Sequence, residues 1–466
     1  MIGTIEGLSD DEQRLVDRLS DELNQKARRN RIRSMYMDGK RAARALSPML
    51  PPYLQKVGAV LGWPAKAVEA VARRTRLTGV AIPGADLSMF GVDRIIEDNQ
   101  FLREVRQAEL SSFTHAVSWE IVTKGGAGEP DAMITAKSAL DGTGTWNKRT
   151  RRLDDFLSVI ERDQDGELSE FALYLPGETV IVADREVQDR STHSLWVPVH
   201  PLAYKPRLDR PFGQSRITRP VMYLVNAAVR SVLRMEGTAD FYGTPHLLLL
   251  GATLDQFSDQ ASAASTWDFL MTKVNGLPDA EEAEGNLARA SVEQITQASQ
   301  QPHMDQLDTI AAAFAGETGI PVSSLGVGVK QANPTSAESY QASREDLIAE
   351  AEDAADYFGW SHVRALQDAW LIANGESELP DELRRLRAIY RDPRQTSRAA
   401  AADSTVKLVG AFPWMAESDA ILDTIGLDPS IVEQLKADKV RSRASVNMQA
   451  LIGRATATEP DDGDEG

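Results

Sequence analysis

The sequence predicts an elongated α+β chain, with its strands gathered in one block. Three observations carry this. Apolar residues recur at helical spacing near the N-terminal end, two-residue alternation with turn signals runs from 113 to 215, and helical patterns dominate after 220.

Residues 10–47 read as one helix. Leu15, Leu19 and Leu23 recur every fourth position, and Asp10, Asp11 and Glu12 stand where a helix dipole favours anions. Pro48, Pro51 and Pro52 stop the pattern. Lys26, Arg28, Arg29, Arg31, Arg33, Lys40, Arg41 and Arg44 make the stretch basic. It reads either as a nucleic-acid patch or as a solvated face paired with acidic neighbours, and charge patterning favours the second. Residues 64–110 alternate helical and extended patterns. A strand follows at 115–122. Residues 156–160 and 171–175 flank Asp165-Gly166 as a hairpin, and 179–183 supplies a third strand. Pro198, Pro201, Pro206 and Pro211 mark an extended connection.

Val221, Leu224, Val225, Ala228, Val229, Val232 and Leu233 then keep helical spacing up to Pro245. Residues 247–250 are a buried-strand candidate, 261–269 a short helix, 271–274 a strand and 278–290 an acidic loop. A second helix covers 303–318, with Ile310, Ala313 and Phe314 on one face and Gly319 past its end. The longest helical pattern spans 335–373, with Gly359 as a candidate kink. From Thr335 to Trp370 it carries eight acids against two arginines. Residues 395–452 read as two or three short helices, and 459–466 as a disordered acidic tail.

Composition bounds the function. Hydrophobic residues make up 42% of the 466, enough for a real core. Cysteine is absent, which excludes disulfides, thiolate zinc sites and a cysteine nucleophile. The six histidines are scattered, with no metal-ligand spacing. No apolar run reaches membrane-spanning length, and the acidic N-terminal segment is not a signal peptide. A net charge of −18 argues against tight phosphate binding through counterion release, though not against a surface that DNA slides past.

Candidate chemical motifs fail on inspection. Asp163-Gln164-Asp165-Gly166 looks like a calcium loop, but aligning its glycine puts Ala172 where the bidentate glutamate belongs. Gly326-Val327-Gly328-Val329-Lys330 and Gly142-Thr143-Gly144 lack phosphate-loop spacing, so neither reads as a nucleotide-binding loop. There is no G-x-S-x-G elbow. No cofactor or metal is expected, and nothing argues for an enzyme.

Four stretches, in order, resemble the portal proteins of long-tailed double-stranded DNA bacteriophages, of the class common in phages of Gram-positive hosts. They are the arginine-rich run from Leu23 through Tyr36-Met37-Asp38-Gly39 to Lys40, then Pro211-Phe212-Gly213-Gln214-Ser215-Arg216-Ile217 with the helix ending near Phe241-Tyr242-Gly243-Thr244-Pro245, then Thr318-Gly319-Ile320-Pro321-Val322-Ser323-Ser324-Leu325-Gly326, then Asn333-Pro334-Thr335-Ser336-Ala337-Glu338. The resemblance covers roughly residues 15–400. It implies a portal fold: an N-terminal wing (1–217), a first stem helix (218–245), a clip (246–302), a second stem helix (303–319), a tunnel-loop region (320–334), a long tunnel and wing helix (335–394), a short helical crown (395–453) and an acidic tail (454–466).

The resemblance further implies a ring of twelve subunits at one capsid vertex of the virion, assembled in the host cytoplasm. The ring would be the channel for DNA packaging and ejection. Implied partners are double-stranded DNA without sequence specificity, the terminase large subunit, the major capsid and scaffold proteins, and a head-completion adaptor, with no membrane. Ser323, Ser324, Gly326, Gly328, Lys330, Gln331 and Asn333 are the implied channel-loop residues. The competing readings are another head-assembly or adaptor protein and, from a different class, a bacterial hydrolase or nuclease.

Overall fold

The structure is a computed structural model. It describes residues 4–41, 59–164, 166–243, 247–250, 291–294, 299–326, 344–394 and 398–417, with scattered positions from 421 to 448. The chain divides into two compact units, residues 1–393 and 394–466.

Helix α1 (Asp10–Met37) opens on a capping box in which the Ser9 hydroxyl accepts from the Glu12 N–H and the Glu12 carboxylate accepts from the Ser9 N–H. The expected helix to residue 47 is corrected here. It ends at Met37, because Asp38 caps it and Gly39 turns the chain at φ +65. Then come α2 (Trp63–Ala72), β1 (Leu77–Ala81), α3 (Val92–Asp98) and α4 (Phe101–His115). Residues 113–115, expected to open the strand block, still belong to α4. The strand, β2 (Val117–Lys124), begins after Ala116, which sits at φ +96.

Strands β3 (Ala132–Ser138), β4 (Gly142–Asn147), β5 (Arg152–Arg162), β6 (Leu168–Leu175), β7 (Glu178–Ala183), β8 (Glu186–Thr192) and β9 (Val199–Ala203) follow. Strands β4 to β8 form a five-stranded antiparallel meander in sequence order. A three-stranded sheet runs β3-β2-β9, so part of the proline-rich connection is a strand. The β5–β6 hairpin turns at Gly166, φ +83. The meander is buried on both faces. Leu157, Val159, Phe171, Leu173, Val180 and Val182 receive Val16, Leu19 and Leu23 of α1. The alternate residues Phe156, Ala172 and Tyr174 pack against Trp119, Ile121 and Val199. Gly142 and Gly144 belong to this packing, since a Cβ on Gly142 would lie 2.5 Å from the Phe156 ring.

The remaining elements of the first unit are α5 (Arg219–Gly243), β10 (Leu247–Leu250) paired antiparallel with β11 (Ser291–Gln294), α6 (Gln301–Thr318), α7 (Glu345–Asn374) and β12 (Arg387–Tyr390), the partner of β1. The segments read as a helix at 261–269, a strand at 271–274 and a loop at 278–290 lie outside the described residues. The long helix, expected from 335, begins at Glu345 after a non-helical Arg344, with Glu345 and Asp346 in its first turn. It runs unbroken through Gly359. The glycine serves close packing instead of a kink, because a Cβ there would come within 3.2 Å of the Ala388 Cβ. The second unit contains α8 (Arg398–Ala411) and a short 3-10 turn at Pro413–Glu417.

Candidate functional site

Helices α5 and α6 pack side by side, and their ends nearest the sheets meet at one buried arginine. Three chain features deliver it there. Gly213 turns at φ +67 against the Tyr204 carbonyl. The Ser215 hydroxyl donates to the Thr114 carbonyl at 2.6 Å and accepts from the Ile217 N–H at 2.9 Å. Buried Ile217 then anchors the start of α5 in the apolar cluster of Phe113, Phe314 and Phe358.

Arg216 thus points inward with 6% exposure, and its donors are distributed over several elements. Nε donates to the Ala67 carbonyl of α2 at 2.5 Å, one terminal nitrogen to the Thr318 carbonyl at the end of α6, and the other to the Glu350 carboxylate of α7. Glu350 also accepts from the Tyr204 hydroxyl and from Lys205. Burial pushes the Glu350 carboxyl up, but Arg216, Lys205 and Tyr204 outweigh it and hold the carboxyl below its ordinary range. Burial also raises the Tyr204 phenol. The junction is a set of satisfied charges that fixes the angle between elements. A small polar cavity beside it is lined by Lys205, Gln214, Thr218, Glu317 and Glu350. Among the described residues, no group of three or more His, Asp or Glu side chains is placed to hold a metal ion.

Three of the four sequence stretches singled out above converge on this junction. Tyr36 of the first reaches α5, where its hydroxyl donates to Asn226 Oδ1 at 3.1 Å and accepts from Nδ2 at 2.8 Å. Arg216 is from the second. The third ends α6 at Gly319, φ +65, and buries Ile320 and Leu325 in the same core. The fourth lies outside the described residues.

Of the residues that the sequence resemblance implies for a channel loop, Ser323 is exposed and Ser324 half-buried in a 3-10 turn (Val322–Leu325), and Gly326 ends that turn at φ +78. Lys66 of α2 donates to the Ser324 carbonyl at 2.9 Å, so the start of the loop is tied to the junction. Gly328, Lys330, Gln331 and Asn333 lie outside the described residues.

The basic run on α1 divides. Lys26 pairs with Glu22, and Arg33 is mostly buried, donating to the His115 carbonyl at 2.9 Å. Arg28, Arg29 and Arg31 are exposed without an ion pair among the described residues. Arg44 lies outside the described residues. Sequence reading missed the roles of Arg216, Glu350, Lys205 and Lys66. The signal for Arg216 was present, as an arginine immediately before Ile217 and a predominantly apolar helix.

A second buried charge cluster lies on α7. His362 Nδ1 is 2.7 Å from Glu120 of β2, and Nε2 is 3.4 Å from Glu109 of α4, which also accepts from the Tyr390 hydroxyl at 3.0 Å. Burial alone would lower the imidazole. The two carboxylates, Glu120 first, reverse this and hold it up at about 9.

The fold is a pair of packed helices rooted in a buried charge junction on antiparallel sheets. Comparison with known proteins names the class. Residues 17–414 match the model of the family "Phage portal protein, SPP1 Gp6-like", and the chain belongs to that family. It is 26% identical over 387 residues to the portal protein of Mycobacterium phage L5, covering 80% of this chain and 77% of that one. It is 25% identical over 402 residues to that of Mycobacterium phage D29, covering 84% and 80%. Among solved structures, it is similar to a chain of the virion of a native gene transfer agent particle (TM-score 0.40, 12% identity, 85% of this chain and 99% of the other). It is also similar to a chain of the neck of that particle computed with C12 symmetry (TM-score 0.40, 11% identity, 83% and 97%). No described helix is long and apolar enough to cross a membrane.

Proposed function

We propose that the chain is one subunit of a twelve-membered ring at a capsid vertex, the channel through which DNA is packaged and ejected. The observation that carries this reading is the family match across residues 17–414, which takes in both helices of the hairpin and the junction beneath them. On this reading residues 1–217 are the wing, α5 and α6 the stem and 246–302 the clip that meets the tail side. Residues 320–334 are the tunnel loop, α7 supports that loop, and 395–453 are the crown.

The parts suit a conduit. The Arg216 junction holds both stem helices against the wing helix through a low-dielectric network, which resists shear as DNA passes. The charge of −18 supplies like-charge walls to which phosphate does not adhere. The ring works as a structural channel with no catalysis of its own. It docks a separate terminase motor, the capsid and scaffold proteins, and a head-completion adaptor, and takes its place in the virion after assembly in the host cytoplasm.

Electron microscopy of the purified full chain tests this directly. The expected image is a ring with a central hole and twelve-fold symmetry, allowing a neighbouring subunit number in overexpressed material. Protein that stays monomeric at high concentration overturns the reading.

A further inference from the structure

A closed ring joins one face of each subunit to a different face of the next. Two surfaces away from the Arg216 junction match each other in that way. The first is cationic. Arg76 precedes β1 and Arg391 follows β12, and antiparallel pairing sets them opposite each other, the Arg391 N–H donating to the Arg76 carbonyl at 2.9 Å. Helix α4 packs on β1 and brings Arg106 alongside. Burial, then Arg106, then Arg391 lower the Arg76 guanidinium pKa, so the three charges feel one another. All three side chains are exposed, and among the described residues none has an ion-pair partner. In a chain of −18, three neighbouring cations with no ion pair among the described residues stand out.

The second surface is the outer stripe of α7. Asp353, Asp356, Tyr357, Trp360 and Arg364 are exposed at spacings of three and four, one continuous helix face. Asp353 and Asp356 have no ion-pair partner among the described residues. Trp360 is 61% exposed and Tyr357 41%, and the Arg364 guanidinium lies over the Trp360 ring at 4.9 Å. Aromatic anchors beside charged groups are the composition of an interface hot spot. This stripe points away from the arginines, since β12 and α4 meet α7 on its buried side through Gly359 and His362.

Resting on the ring reading above, we propose that the α7 stripe of one copy docks on the Arg76–Arg106–Arg391 cluster of the next. The carboxylates of Asp353 and Asp356 meet the guanidiniums, whose planar forks suit carboxylate geometry, and the exposed Trp360 ring adds an aromatic anchor beside them.

The test is charge exchange in the full chain, read by mass photometry at low ionic strength with circular dichroism as a check on folding. Arg106→Glu with Arg391→Glu, and separately Asp353→Lys with Asp356→Lys, should each raise the concentration needed for rings by at least about tenfold. The four changes together should restore most of that loss. Arg106→Gln with Arg391→Gln serves if the reversal disturbs folding, with a smaller loss in the same direction. If either pair of changes leaves assembly at the unmutated level, or if the combination is no better than its parts, the pairing is wrong while the ring stands. If the unmutated chain forms no ring, the ring reading falls and takes the pairing with it. Normal rings that have lost only DNA or tail attachment would assign the arginines to those partners and overturn the proposal.

Discussion

Arg216 and Glu350, 134 positions apart in sequence, are bonded guanidinium to carboxylate inside the protein, so the start of α5 and the first third of α7 share one charge pair. The pair is buried on both sides, and removing one member leaves the other charge without its partner. Arg216→Met is therefore expected to cost about 3–5 kcal/mol of stability, as for other broken buried pairs. Removing both in Arg216→Met, Glu350→Met should recover part of that loss. Urea unfolding of the two variants at pH 7 measures the difference, and equal losses would show that the remaining carboxylate is satisfied by Lys205 and Tyr204 alone.

The His362 cluster makes stability depend on pH. The folded imidazole titrates at about 9, raised from 6.5. A raised pKa contributes stability that is fully present below pH 6.5 and lost as pH rises through 9. Glu109 is also raised, burial outweighing His362 and Tyr390, so its titration likewise favours the folded state at lower pH. The urea midpoint should fall steadily between pH 6.5 and 9, and His362→Gln should flatten that slope while lowering the midpoint at pH 6.5. An unchanged slope in the variant would remove His362 as its source.

Two glycines with nearly the same backbone angle predict different costs. Gly39 sits at φ +65 with nothing among the described residues within 4 Å of a built Cβ, so Gly39→Ala should lose about 1–2 kcal/mol from backbone strain. Gly213 sits at φ +67 with a built Cβ 2.0 Å from the Tyr204 carbonyl oxygen. Gly213→Ala must displace the strand end that carries Tyr204 and Lys205, and should lose on the order of 4 kcal/mol or more. Thermal unfolding of the two alanine variants side by side checks this, and comparable melting temperatures would contradict it.

The elements were legible where a local rule holds. The β5–β6 hairpin followed from its turn residues, and the α5 and α6 helices from their apolar spacing. Boundaries set by backbone geometry were not. The end of α1 depends on Gly39, although Pro48, Pro51 and Pro52 are the stronger stop signals in the sequence, and the start of α7 depends on Arg344, which carries no helix-start signal. Gly359 looked like a kink because only the fold brings Ala388 against it. The charge junction was illegible for a similar reason. Glu350 is one of eight acids along its stretch, and sequence cannot show that it alone meets Arg216, Lys205 and Tyr204.

The tunnel-loop assignment gives the last prediction. The loop's start is held firmly. Leu325 is buried at 4%, Lys66 bonds the Ser324 carbonyl, and Gly326 at φ +78 then turns the chain. Beyond that point the sequence offers Gly328, Lys330, Gln331 and Asn333 before Pro334, a short polar stretch with one cation in an acidic protein. Under the proposed assignment, one lysine per subunit would hold a phosphate weakly, since an exposed contact is worth about 1 kcal/mol or less, so DNA would be touched without being arrested. On the proposed channel placement, reversing that charge would add repulsion toward DNA, and bulk at Gly328 would remove backbone freedom next to it. Lys330→Glu and Gly328→Val should therefore leave ring assembly intact and shorten or destabilise the packaged genome. Lys66→Ala, which frees the loop's start, should act in the same direction more weakly. Genome length in phage carrying each change is the measurement, and fully filled heads from Lys330→Glu and Gly328→Val would remove these residues from the channel.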